Sequence, residues 1–375
     1  MAQSALMLGV CYMVCTTALY LSTGGFTTEF LGLRIALSDL QKPTLITLAC
    51  IAVWLLLAKD RMTTIVKSLA YVESLSLNTH KTIAYLVGFM AAVCLSLLKL
   101  KQHLVFQTTA FDLGLQASVA WNTLHGRLLY DSLQNINYLG DHFSPIHLVL
   151  APLYFVWENA ATLLILQSIG IGLASTALYL LTLAKVPHKW LALVMTTCFL
   201  FNPYLHRISI FDFHPIAFAI PLFLWILYSL EKGQRTAVVV LSLLALTVEE
   251  TLLPPLLGLG MYMGIFHKEF RRVGYSIALV AAVCFVVELK VAMPYFLHDD
   301  RLTHISRYTN LGGNSLDEIL RALVRNPLIL GRELVSPWQK VSALVLLLLS
   351  VGVPPSFLST HPAVITSGYC AYCRQ

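Results

Sequence analysis

The chain has 375 residues, of which 57% are hydrophobic and only 12% are Asp, Glu, Lys or Arg, with a mean hydropathy of +0.74. A soluble domain carries roughly 25% charged residues, so this composition excludes a water-soluble globular fold. The net charge of +6 is scattered over short loops, which is no nucleic-acid signal and leaves membrane lipids as the surroundings.

The apolar residues form long unbroken runs, where spanning β-strands would alternate over roughly ten residues, so the expected class is all-α. The N-terminal Met1-Ala2-Gln3-Ser4 lacks the positive region of a cleavable signal, and the first run reads as a retained signal anchor. Expected spans are Leu6 to Leu21, Thr44 to Leu57, Thr82 to Leu98, Ala160 to Leu183 and Trp190 to Phe201. Pro215 to Leu230, Ala237 to Phe266, Val273 to Val291 and Val341 to Val353 follow. Glu249-Glu250 and Pro254-Pro255 interrupt Ala237 to Phe266, which therefore reads as two short helices meeting at a break, for about ten crossings in all.

Charge sets the orientation. Lys59, Arg61, Lys67 and Lys81 share one loop, and Lys185 with Lys189, Lys232 with Arg235, and Lys268 with Arg271 and Arg272 mark three others. Placing all four in the cytoplasm puts the N-terminus there too. The alternation closes if Phe143 to Trp157, short and holding Pro145 and Pro152, is not a span. Lys99 and Lys101 are exceptions left on the outer side. Four regions then face outward: a long loop from Lys101 to Asn159, the link Asn202 to His214, the tip at Glu249-Glu250, and the loop after Pro294.

Cys11, Cys15, Cys50, Cys94, Cys198 and Cys284 lie in apolar runs and act as small hydrophobes. Cys370 and Cys373 supply two ligands where a closed zinc site needs four, so no metal site is assigned there.

The chemistry-bearing residues are in the outer regions. From Leu113 to Leu124 apolar residues recur at helical spacing, predicting a helix on the membrane surface with Asp112 at its start, either as an N-cap or as a general base. Asp141 and His142 follow in the same loop. His206, Arg207, Asp212 and His214 make the second cluster, in which Asp212 reads alternatively as a cap for a helix beginning near Pro215. Glu249 and Glu250 are either an interfacial tip or functional carboxylates. Beyond Pro294, Arg301 and Arg307 offer planar forks of donors to a phosphate, and Glu288 and Lys290 read as snorkelling side chains.

The strings FDLGLQ from Phe111, DHFSPIH from Asp141, APLY from Ala151, LLILQS from Leu163, DFHP from Asp212 and the VEE at Val248 resemble a family of predicted prokaryotic membrane proteins, domain of unknown function 2079. The resemblance runs from about Phe106 to Val353, and Val248 stands where that family commonly has a basic residue. In layout the family is similar to the C-type (GT-C) membrane glycosyltransferases. That similarity implies a GT-C-like core over residues 81–356, preceded by two spans and a cytoplasmic loop in 1–80 and followed by a short tail, 357–375, where relatives continue.

It further implies an inverting sugar transfer from a polyprenyl-phosphate donor at the outer face of a prokaryotic plasma membrane. Asp112 would be the base, with Glu249 and Glu250 also catalytic; Asp141, His142, Arg207, Asp212, His214, Arg301 and Arg307 would bind substrate. Asp212 or the Glu249-Glu250 pair offers oxygen ligands to an optional divalent cation, Mg2+ or Mn2+. A transporter, supported by the broken helix, and a non-catalytic membrane protein are the alternatives.

Overall fold

The computed structural model describes residues 26–30, 33–37, 62–297 and 309–335. The expected spans Leu6 to Leu21, Thr44 to Leu57 and Val341 to Val353 lie outside the described residues, as do Arg301 and Arg307.

The described chain is mostly helical, with two small departures from the all-α expectation. Strands β1 (Phe26–Phe30) and β2 (Leu33–Leu37) pair antiparallel. Helix α1 (Met62–Ser74) leads into α2 (Leu77–Leu104), whose N-cap Ser76 accepts a hydrogen bond from the Thr79 amide. The outer loop then carries α3 (Asp112–Leu124), a hairpin of β3 (Tyr130–Asp131) and β4 (Ile136–Asn137), and α4 (His147–Tyr154). At eight residues α4 is about 12 Å long, which agrees with the expectation that Phe143 to Trp157 does not cross.

Helix α5 (Ala160–Lys185) starts at the cap Asn159, and α6 (Trp190–Leu200) runs into α7 (Pro203–Ile210), where Asn202 caps and Pro203 takes the first turn. A 3-10 turn at Pro215–Phe218 opens α8 (Ala219–Glu231). Helices α9 (Arg235–Leu246) and α10 (Leu253–Phe266) are separated by the expected break. Helix α11 (Arg271–Val287) continues through a π turn at Glu288–Ala292 into α12 (Met293–Leu297), and the short helices α13 (Leu316–Arg325) and α14 (Leu328–Val335) follow.

Three described helical segments are long and apolar enough to cross a bilayer: Leu77–Leu104, Ala160–Lys185 and Lys268–Leu297. The other described apolar helices, Trp190–Leu200, Pro215–Glu231 and Arg235–Leu246, keep close to their expected starts and ends but are each shorter than 18 residues. Helix α6 stops at Leu200 after 11 residues, about 17 Å, where hydrocarbon is about 30 Å thick.

Packing separates centre from rim. Helix α5 is the hub, lying against α2, α8 and α6. Its hydroxyls bond backbone carbonyls one turn back, as Ser168 does to Leu164 O at 2.9 Å, so they enter the core satisfied. Helices α2 and α11 instead show outward faces of Leu86, Phe89, Met90 and Leu97, and of Leu279, Val283 and Val286. Stripes of that kind suit lipid tails.

The α2–α5 crossing is close because glycines meet there. A β-carbon on Gly172 would lie 2.8 Å from Ala92 Cβ and press on Gly88 O, while one on Gly88 would lie 2.7 Å from Gly172 O. Gly172→Val is expected to destabilise the protein by about 1–3 kcal/mol through overpacking. In Gly114→Ala the new carbon comes no nearer than 3.7 Å to Leu133 Cδ1, so the melting midpoint should hold or rise. Thermal melting in detergent distinguishes the two, and equal midpoints would contradict the close crossing.

Candidate functional site

The break between α9 and α10 creates the site. Helix α9 ends at Leu246, the chain is extended at Glu249, and α10 cannot begin before its first-turn proline has been accommodated. A helix end leaves backbone carbonyls without partners, and inside a bundle they must find others. The loop Asp141 to His147 supplies them. Ile146 N donates to Thr247 O at 2.7 Å, and the Ser144 hydroxyl donates to Val248 O at 2.5 Å.

The same loop engages both glutamates. Phe143 N donates to Glu250 Oε2 at 2.9 Å, and His142 Nδ1 lies 3.1 Å from Glu250 Oε1 and 3.7 Å from Glu249 Oε1. The Thr251 hydroxyl donates to Glu249 Oε1 at 2.8 Å. Glu249 is 2% exposed, Glu250 7% and His142 9%, so the pair is buried and not an open interfacial tip.

Burial disfavours the imidazolium of His142, but the two glutamates outweigh it and hold its pKa up at about 9. Burial likewise pushes Glu249 above the usual carboxylate range, against the pull of His142. One nitrogen and two carboxylates, with ligand atoms all within 4.8 Å of one another, form a set able to hold a proton or a metal ion. Asp141, also buried, accepts a hydrogen bond from Gln134 Nε2 at 3.3 Å.

A second polar centre joins residues a hundred positions apart. Asp212 Oδ2 accepts from Thr109 N at 2.8 Å and from the Thr109 hydroxyl, which also lies 3.1 Å from Asp112 Oδ2. One hydroxyl is thus bracketed by two carboxylates. Asp112 occupies the first turn of α3, and the N-cap position belongs to Phe111, without a side-chain bond. The capping reading of Asp112 therefore gives way to a bridge, although its charge still suits the helix start. Asp212 is no cap either, since the turn at Pro215 starts from His214.

Lys99, 1% exposed, donates from Nζ to Phe211 O at 2.6 Å and lies within electrostatic reach of Asp212. His214 N donates to Gln167 Oε1 at 3.1 Å, which ties this strand of the link to α5. Burial holds His214 below its ordinary pKa, and Asp112, His142 and Asp212 all act on it electrostatically. The two centres are therefore neighbours.

Between them runs a buried relay that sequence reasoning passed over. Gln116 donates from Nε2 to the Tyr138 hydroxyl at 2.8 Å, while its Oε1 lies 2.7 Å from His147 Nε2. The Tyr138 ring sits 6.0 Å from that of His142 and 5.2 Å from that of His147. Gln116 and His147 stand inside the FDLGLQ and DHFSPIH strings, so their signal was a polar residue on a buried helical face. Arg207 is exposed on α7, within electrostatic reach of Tyr204.

The model of a family described as a predicted membrane protein, DUF2079, matches residues 102–364, well over half of the chain. The chain belongs to this family. No curated protein and no solved structure matches it. The DUF2079 region takes in α3, the clamped break and, Lys99 aside, both polar centres.

Stability should follow the buried ion cluster in chelator-treated protein. His142 has a folded pKa of about 9 against an ordinary 6.5, so its contribution is full below pH 6.5 and lost as pH rises through 9. The raised Glu249 acts in the same direction at lower pH. The melting midpoint is expected to fall between pH 6.5 and 9, by up to about 3 kcal/mol of stability, and to flatten in His142→Gln. A rising or level wild-type profile would contradict the assignment.

Proposed function

We propose that this DUF2079 protein is a glycosyltransferase-like membrane enzyme that moves a sugar from a polyprenyl-phosphate donor to an acceptor at the non-cytoplasmic face. The observation that supports this reading most is the Thr109 bridge. It holds the half-buried Asp112 and the buried Asp212 together at the start of α3, beside a bundle with lipid-facing sides.

The geometry suits proton removal at a bilayer boundary. Lys99 lies five residues, about 7 Å, from the end of α2, and Glu288 nine residues, about 13 Å, from the end of α12, so both polar centres belong near one end of the bundle. Asp112, the more open carboxylate, accepts the proton of the acceptor hydroxyl as it attacks the anomeric carbon. Asp212, held by Thr109 and faced by Lys99, keeps Asp112 in position. Glu249, Glu250, Asp141 and His142 form the buried wall behind. Arg207, with Arg301 and Arg307, neutralises the departing phosphate, and His214 lines the space between the centres.

The clamped helix break favours one other reading, a transporter, because broken helices expose backbone at substrate sites. A single assay separates them. Purified wild type incubated with a polyprenyl-phosphate sugar is expected to hydrolyse it, water taking the acceptor's place at the anomeric carbon, to free sugar and polyprenyl phosphate, and Asp112→Asn to lose at least about 100-fold in rate while melting normally. No consumption by the wild type, with substrate-dependent flux in proteoliposomes, would overturn the enzyme reading in favour of transport.

A further inference from the structure

We propose that His142, Glu249 and Glu250 bind one divalent first-row transition-metal ion of the Mn2+ and Zn2+ class at the junction of the 141–147 loop with the break between α9 and α10. The inference stands apart from the sugar-transfer reading and needs no sugar substrate.

Three observations carry it. The first is the donor set. His142 Nδ1 and one oxygen from each glutamate lie within 4.8 Å of one another, and all three residues are buried. The second is that hydrogen bonds already orient both carboxylates. Phe143 N holds Glu250 Oε2, and the Thr251 hydroxyl holds Glu249 Oε1. Outer hydrogen bonds of this kind fix ligand geometry in metal sites.

The third is a further acid, one of whose oxygens lacks a hydrogen bond among the described residues. Glu288, 5% exposed, sits on the π turn of the α11–α12 segment and within electrostatic reach of Glu250. Its Oε2 has no hydrogen-bond partner among the described residues. Among those residues no Lys or Arg forms an ion pair with Glu249, Glu250 or Glu288, so His142 is the one cation paired with the cluster. Three buried carboxylates facing a single imidazole leave an excess of negative charge in a poorly solvated place. A divalent ion removes that excess, displacing the His142 proton as it binds.

Ligand chemistry selects the ion. An imidazole nitrogen among carboxylates suits Mn2+, Fe2+ or Zn2+. Mg2+ favours octahedral oxygen and retained waters, and Ca2+ takes six to eight oxygens, neither of which this set provides. Glu288, within electrostatic reach of Glu250, would have its charge balanced by the ion.

The test uses the full chain in detergent, stripped with EDTA and titrated with MnCl2 while the EPR signal of free Mn2+ is followed. Saturation at one ion per chain is expected, with displacement by Zn2+ and resistance to a large excess of Mg2+. The bound ion should show electron spin-echo modulation from a histidine nitrogen, absent in His142→Gln. Glu250→Gln should weaken binding at least 10-fold, while the exposed-site control Asp317→Asn binds as the wild type does. If His142→Gln or Glu250→Gln fails to melt cooperatively, the wild-type stoichiometry and nitrogen modulation decide alone. No saturable binding of Mn2+ or Zn2+, a bound ion without nitrogen modulation, or modulation that survives in folded His142→Gln would each overturn the proposal.

Discussion

Breaking a helix inside an apolar bundle strips backbone carbonyls of their partners, and lipid cannot replace them. In this protein the hydrogen bonds from Ile146 N and the Ser144 hydroxyl to Thr247 O and Val248 O answer that demand. The docked 141–147 loop also brings Phe143 N and His142 onto the two glutamates that follow the break. The structural repair and the buried polar centre are one feature. Tyr138 and His147 then pass the constraint through Gln116 to the start of α3, where Asp112 stands.

The membrane explains why so few polar residues bear so much of the organisation. Side chains on the rims of α2 and α11 meet lipid and carry no specificity beyond being apolar. Hub helix α5 hides its hydroxyls against its own backbone. Buried charges gather in the 141–147, 211–214 and 249–250 segments. Charges there are buried but answered in groups: Lys99 with Asp212, His142 with Glu249 and Glu250. Group arrangements of this sort make charge at a membrane boundary affordable.

Much of this was legible in the sequence. Uninterrupted apolar runs announced α2, α5 and the α11 segment, and Glu249 to Pro255 announced a break, because each is a local pattern. The short α4 followed from its prolines. Misreadings fell where tertiary contact decides. Asp112 and Asp212 look like caps because capping is the local use of aspartate, yet Thr109 claims both. Lys99 looked like an exception to the charge rule, and Glu288 like a snorkelling side chain. Both are buried, which no window of neighbouring residues can reveal. The His142 pairing crosses 108 positions and depends on the loop docking, so it was invisible before the fold.

The central claim is that the loop and the break form one energetic unit, and a double-mutant cycle on His142 and Glu250 addresses it directly. His142→Ala, Glu250→Ala and the double variant would be melted side by side in detergent, with chelator, at pH 6.5. A coupled unit predicts that the double variant loses less than the two single losses combined, by at least about 1 kcal/mol. Additive losses would mean that the two side chains do not depend on each other, and the account of the clamp would fail.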